Sequence, residues 1–205
     1  MKTTEFIEHL RAHQNPEKQK PMEQYMKNQF SFIGLQATER RALSKEFIKA
    51  RFHETKNRYQ IVEPGKSVID WDLLTLLWEL PEREFQLTGL DYLKRVEIFF
   101  VYDDFDHFKK LILQKSWWDT IDFLAKNIGS LVKKEPKLIA EIKAWSRAEN
   151  MWMRRVAILH QLSYKDETNH ALLQEIILNN IHDEEFFIRK AIGWSLREYS
   201  KTNAD

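Results

Sequence analysis

Ser116-Trp117-Trp118-Asp119-Thr120-Ile121-Asp122-Phe123-Leu124-Ala125-Lys126-Asn127-Ile128-Gly129 carries apolar residues at Trp117, Ile121, Leu124 and Ile128, spaced four, three and four. That period puts all four on one side of an α-helix but on both sides of a β-strand, so the stretch reads as a helix with one buried face. Trp118, Asp122, Ala125 and Gly129 form a second line with the same spacing. An indole is followed one turn on, about 6 Å along the axis, by a carboxylate, then by two small residues that let another group come close. Two readings stay open for this line: a helix–helix contact with a half-buried Asp, or an open face for a ligand. Ser116 and Asp119 have the spacing of a capping box, which gives Asp119 a structural task at the helix start.

The same period recurs along nearly the whole chain. Helices are expected at about 3–14, 20–30, 38–52, 68–80, 81–96, 104–115, 117–132, 136–147, 151–164, 168–181 and 184–200. Pro21, Pro81 and Pro136 fit first turns, where a missing N–H costs nothing, and Thr38, Asn150 and Asp183 fit as N-caps. Val62 to Ser67 is the one clear loop. Trp118, Arg155 and Trp194 fall at similar depth in three successive second helices, 37 and 39 residues apart. That repeat lies near the HEAT and armadillo range. The expected fold is all-α: one domain over 1–205, a HEAT-like helical-repeat solenoid of stacked antiparallel helix pairs with a concave binding face.

Composition narrows the chemistry. The 205 residues hold five Gly and five Pro, too few for a sandwich or barrel, or for a Gly-rich phosphate loop. No Cys is present, which excludes disulfides, thiol catalysis and thiolate metal sites and suits a reducing cytoplasm. Met1 to Leu10 has no apolar h-region, and no run of eighteen apolar residues exists, so neither a signal peptide nor a membrane span is expected. The net charge of +1 argues against a wholly basic surface, although charge on one face is what a nucleic acid reads. His9 and His13 are four apart on a helix, but no further ligands accompany them, so no metal or other cofactor is expected.

Other candidate residues stand in later helices and near the N-terminus. Arg155 has Met151, Trp152, Ile158, Leu159 and Leu162 as helical neighbours, and an arginine among apolar groups needs an anionic partner. Two are open: an internal Asp, Asp122 among them, or a DNA phosphate. Arg154 neighbours Asn150 and Gln161 and reads as solvated. Gly193 beside Trp194 costs helix stability, about 1 kcal/mol against Ala, which close approach by another group would explain; Trp194 taken alone reads as core. Tyr25 shares a line with Met22 and also reads as core. Lys27, Arg40, Arg41 and Lys45 supply positive charge, as solvated residues or as phosphate contacts.

These residues together resemble the AlkD-type DNA alkylation-repair glycosylases. The stretches that carry the resemblance are Pro21-Met22-Glu23-Gln24-Tyr25-Met26-Lys27-Asn28-Gln29-Phe30, Ile33-Gly34, Thr38-Glu39-Arg40-Arg41, Leu80 to Gln86, Ser116 to Asp122, Arg155 within Trp152 to Leu162, and Glu185 to Tyr199. They span almost the whole chain in order. The resemblance implies a monomeric HEAT-like enzyme that holds double-stranded DNA and hydrolyses the N-glycosidic bond of cationic N3- or N7-alkylated purines. It implies catalytic roles for Trp118, Asp122 and Trp194, and DNA contacts for Arg155 and Tyr25. Members of that family commonly continue for another helix or two past Ser200 to Asn203, whereas this sequence ends at Asp205.

The chemistry that would follow is simple. A cationic alkylpurine leaves as a neutral base, so no strong acid is needed. A carboxylate at Asp122 would stabilise charge growing on the sugar and orient water, with indole faces at Trp118 and Trp194 against the cation. The alternatives are a non-catalytic DNA-binding scaffold and a helical-repeat protein adaptor.

Overall fold

The computed structural model describes residues 1–203. Among them the regular structure is all helical, with eleven α-helices, four short 3-10 turns and one isolated bridge between Ser31 and Glu82. Every expected helix is present. The chain divides into two compact units, Met1–Phe100 and Val101–Asp205.

The first unit contains α1 (Thr3–Ala12), α2 (Pro16–Tyr25), α3 (Ala37–Ile61), α4 (Trp71–Glu79) and α5 (Arg83–Val96). Helix α3 packs on α1 and α5, and α4 pairs with α5. Phe6, Leu10, Ile33, Leu35, Phe47, Leu77 and Phe85 belong to its core, where the Phe6 and Phe47 rings stack at 3.9 Å. The segment Leu80 to Gln86 braces the unit. Buried backbone without secondary structure must find hydrogen-bond partners, and the Glu84 carboxylate supplies them, accepting from the N–H groups of Ile33, Gly34 and Leu35 at 2.9–3.0 Å. Burial pushes the Glu84 carboxyl above its usual range, and these N–H groups oppose that rise. The Gln86 amide caps the end of α4 through the carbonyls of Leu77 and Leu80. The Arg83 guanidinium lies 3.7 Å over the Phe30 ring, and Glu82 pairs with Arg11.

Several boundaries differ from expectation. Helix α2 starts on Pro16 rather than near 20, so Pro21 lies inside it. Helix α3 is capped at Gln36, not Thr38, and runs nine residues beyond 52, to Ile61.

The second unit contains α6 (Phe105–Leu113), α7 (Trp118–Lys134), α8 (Ile139–Trp145), α9 (Met151–Leu159), α10 (His170–Leu178) and α11 (Phe186–Ser200). Helix α9 is its centre and packs on all five others. Met153, Val156, Ala157, Ile158 and Leu159 are buried, and the Asn150 side chain caps α9 by accepting from the N–H groups of Trp152 and Met153. Asp183 is not the cap of α11; that position is Glu185, whose N–H donates to Asp183 Oδ1.

The capping box expected from Ser116 and Asp119 is absent. Lys115 takes a left-handed conformation, φ 47°, and the Ser116 hydroxyl donates backward to the Ile112 carbonyl at 2.6 Å. It serves an orphan acceptor at the end of α6 instead of an orphan donor of α7. The N-cap of α7 is Trp117, in extended conformation.

Candidate functional site

Of the two lines on α7, the first is core along most of its length: Ile121, Leu124 and Ile128 are fully buried. Trp117 is only part-buried and stands at the helix entrance, in an aromatic cluster with Trp152 and Phe187 whose ring centroids are 5.0–5.8 Å apart. The second line divides in two. A Cβ at Gly129 would lie 1.9 Å from the His160 carbonyl oxygen, and the Tyr164 hydroxyl donates to the Gly129 carbonyl at 2.6 Å. Ala125 is fully buried. The small residues thus serve backbone contact between α7 and the end of α9, and the helix–helix reading holds for them. Trp118 and Asp122, nearer the start of α7, remain part-exposed.

Asp122 is clamped by Arg155. Arg155 Nε donates to Oδ1 at 2.8 Å and Nη2 to Oδ2 at 3.0 Å, the planar fork-to-carboxylate geometry open only to arginine. Arg155 Nη1 donates to the Phe187 carbonyl in the first turn of α11. One guanidinium on α9 therefore ties α7 to α11, and its side chain is 6% exposed against 16% for Asp122. The sequence left Asp122 and a phosphate open as partners for Arg155; three of its N–H groups go to Asp122 and Phe187. The Phe187 carbonyl was invisible in the sequence, because a backbone acceptor carries no residue signature.

Arg154 is not solvated. It pairs with Asp183 at 2.9 Å and donates to the carbonyls of Ala148 and Glu149 at 2.8 and 2.7 Å. Asp183 and those carbonyls lie in the turns beside α9 and are contributed by tertiary folding, not by Arg154's helical neighbours.

On α11, Trp194 is part-exposed, not core, and its indole lies beside the Glu198 side chain one turn on. Lys201, 2.7 Å away, is the main reason the Glu198 carboxyl lies below its usual range, with smaller contributions from Trp194 and the charge of Arg197. Gly193 is exposed, and a Cβ there would meet nothing within 4 Å. No protein group accounts for that glycine.

The candidates of the first unit differ from one another. Tyr25 is 70% exposed at the end of α2, against its reading as core. Lys27 is exposed, and it and Asn28 are both left-handed, φ 57° and 55°. Arg40, expected as a DNA contact, is instead 3% exposed and paired with Asp91 at 2.7 Å. Burial lowers its pKa and Asp91 opposes that shift. Its signal was present: Arg40, Ser44 and Phe47, spaced four and three, are the buried line of α3. His9 and His13 lie side by side, rings 4.7 Å apart, and among the described residues no three potential metal ligands cluster.

Also buried and outside this site is His160. Its Nδ1 bonds the Ala157 carbonyl at 2.6 Å, its Nε2 has no partner, and burial pushes its pKa down to about 4.

Successive packed helices, with an arginine-clamped carboxylate one turn from a part-exposed indole, define a helical-repeat protein that presents polar groups from its helices. The chain belongs to the DNA alkylation repair enzyme family, whose model matches residues 6–205. It is similar in structure to a predicted DNA alkylation repair enzyme from Enterococcus faecalis, with a TM-score of 0.80 and 38% identity over 94% of this chain and 85% of that one. No curated protein gives a significant match. Among the described residues no helix is long and apolar enough to cross a membrane.

Proposed function

We propose that this chain is a monofunctional DNA glycosylase that hydrolyses the N-glycosidic bond of cationic N3- or N7-alkylated purines in double-stranded DNA, acting as a cytoplasmic monomer. The observation that carries this reading is the Asp122 carboxylate, held in one orientation by Arg155 and one turn from Trp118. Membership of a DNA alkylation repair family supports the substrate class.

In this reading the glycosidic bond breaks with its electron pair going to the purine, which leaves neutral. Positive charge grows on the sugar carbon. Water adds there and gives up a proton, leaving a hydroxyl on the abasic sugar. Asp122 faces the growing charge and orients the water. A carboxylate has about four lone-pair sites and the guanidinium occupies two, so acceptor capacity remains. Trp118 and Trp194 offer electron-rich faces to the cationic nucleotide. Arg155 acts as a positioning residue, fixing the carboxylate instead of binding a phosphate. Tyr25 and Lys27 contact the DNA backbone from the first unit.

The test is release of 7-methylguanine from methylated duplex DNA. Asp122→Asn is expected to lower the rate by 100-fold or more while DNA binding survives; full activity would sink the assignment. The low exposure of the Arg155–Asp122 pair favours a second reading, a purely structural ion pair in a non-catalytic DNA-binding scaffold. Under it the wild-type protein binds duplex DNA and releases no base.

A further inference from the structure

Helix α11 has one exposed line that its packing does not use. Phe186, Lys190, Gly193 and Arg197 are spaced four, three and four, so they lie along one side of the helix, and all four are exposed. Phe186 is 63% exposed, with the Lys190 ammonium 5.5 Å from its ring centroid. Arg189 and Leu196 flank the line and are exposed as well. No acidic residue stands on it. Glu198 belongs to the neighbouring line of Trp194 and is neutralised by Lys201. Among the described residues neither Lys190 nor Arg197 has a carboxylate within ion-pair distance, although the charge of Arg197 reaches Glu198.

Gly193 stands in the middle of this line. A glycine inside a helix is destabilising relative to alanine, and such residues persist where a fold needs close approach. Gly129 has that excuse, with the His160 carbonyl pressed against it. Gly193 does not: a Cβ there would meet open space. The space above Gly193 is kept free between two cations that stand about 4.5 and 6 Å from it along the axis. Both have side chains long enough to converge over it.

We infer that the Phe186–Lys190–Gly193–Arg197 ridge seats the sugar–phosphate backbone of duplex DNA, with the backbone lying directly over Gly193 and a phosphate held between Lys190 and Arg197. This rests on the DNA-acting reading above and adds the surface on which one strand runs past Trp194. A polyanion wants the ridge cationic and, at its centre, without a side chain.

Stability and binding move in opposite directions under this inference, which makes it testable without confusion from misfolding. Gly193→Ala and Gly193→Leu in the full chain are expected to raise the thermal midpoint, by about 2–4 °C for the alanine variant. The same variants are expected to weaken binding of a labelled, undamaged duplex, about 3- to 10-fold for alanine and more than 10-fold for leucine. Lys190→Ala and Arg197→Ala are each expected to reduce the slope of log affinity against log salt by about one. Gly193 variants that are as stable as wild type or more so, and bind DNA as wild type does, overturn the inference. So does a wild-type protein that fails to bind duplex DNA. Because the duplex is undamaged, the two readings fail separately: binding here by a wild-type protein that releases no base from methylated duplex would remove the glycosylase reading and leave the ridge standing.

Discussion

Arg155 on α9 grips Asp122 on α7 through two parallel N–H···O bonds across 33 positions of chain. The clamp uses three of the five guanidinium N–H groups once the Phe187 carbonyl is included. Arg155→Ala leaves a carboxylate of low exposure without its counter-ion and is expected to cost about 3–5 kcal/mol of stability. Arg155→Lys keeps the charge but not the fork, and base release is expected to fall with it by 10-fold or more. The slope of DNA affinity against salt is expected to stay at the wild-type value in both variants. A slope lower by about one would return Arg155 to the phosphate contacts.

Two glycines on one chain are expected to respond to alanine with opposite sign. At Gly193 the added methyl meets nothing. At Gly129 it meets the backbone of His160 at 1.9 Å, which cannot rotate away as a side chain would. Gly129→Ala is therefore expected to force α7 from α9 and cost about 3 kcal/mol in urea unfolding. A neutral Gly129→Ala would show the two helices free to separate.

His160 makes the second unit sensitive to acid. Its folded pKa of about 4 lies below the ordinary histidine value of 6.5, so the unfolded chain takes up the proton first as pH falls. Native stability from this group is whole above pH 6.5, declines between 6.5 and 4, and levels off below 4. The loss is about 3 kcal/mol at most. Urea midpoints followed from pH 7 to 5 should show this decline, and His160→Gln should flatten it. An equal decline in the variant would assign the acid sensitivity elsewhere.

Arg40 and Lys27 separate structural from exposed cations. Arg40→Ala removes one half of a buried pair with Asp91 and is expected to cost about 3 kcal/mol while the salt slope of DNA binding holds. Lys27→Ala is expected to leave stability unchanged and lower that slope by about one. The reverse pattern would mean that α3 opens to present Arg40 to DNA.

The helices were legible because their signal is local. The lines Trp117–Ile121–Leu124–Ile128 and Trp118–Asp122–Ala125–Gly129 each occupy about three turns, and the 3.6-residue period is complete within that length. Ends were less legible. The Ser116 hydroxyl could serve the start of α7 or the end of α6, and a left-handed Lys115 decides for α6. The brace from Leu80 to Gln86 stood out only as a match to a family, since the groups it satisfies are backbone atoms of Ile33, Gly34, Leu35 and Leu77.

From sequence alone came the all-helical fold, the alignment of Trp118 with Asp122, and the need of Arg155 for an anion, because each follows from spacing within a few turns or from the cost of burying a charge. Tertiary structure alone decided that the anion is Asp122, that Arg40 is buried in a pair with Asp91, and that Gly129 is filled against His160 while Gly193 stands open. A helix period says which way a side chain points. What it meets there is set by residues tens of positions away, and only packing brings them within reach.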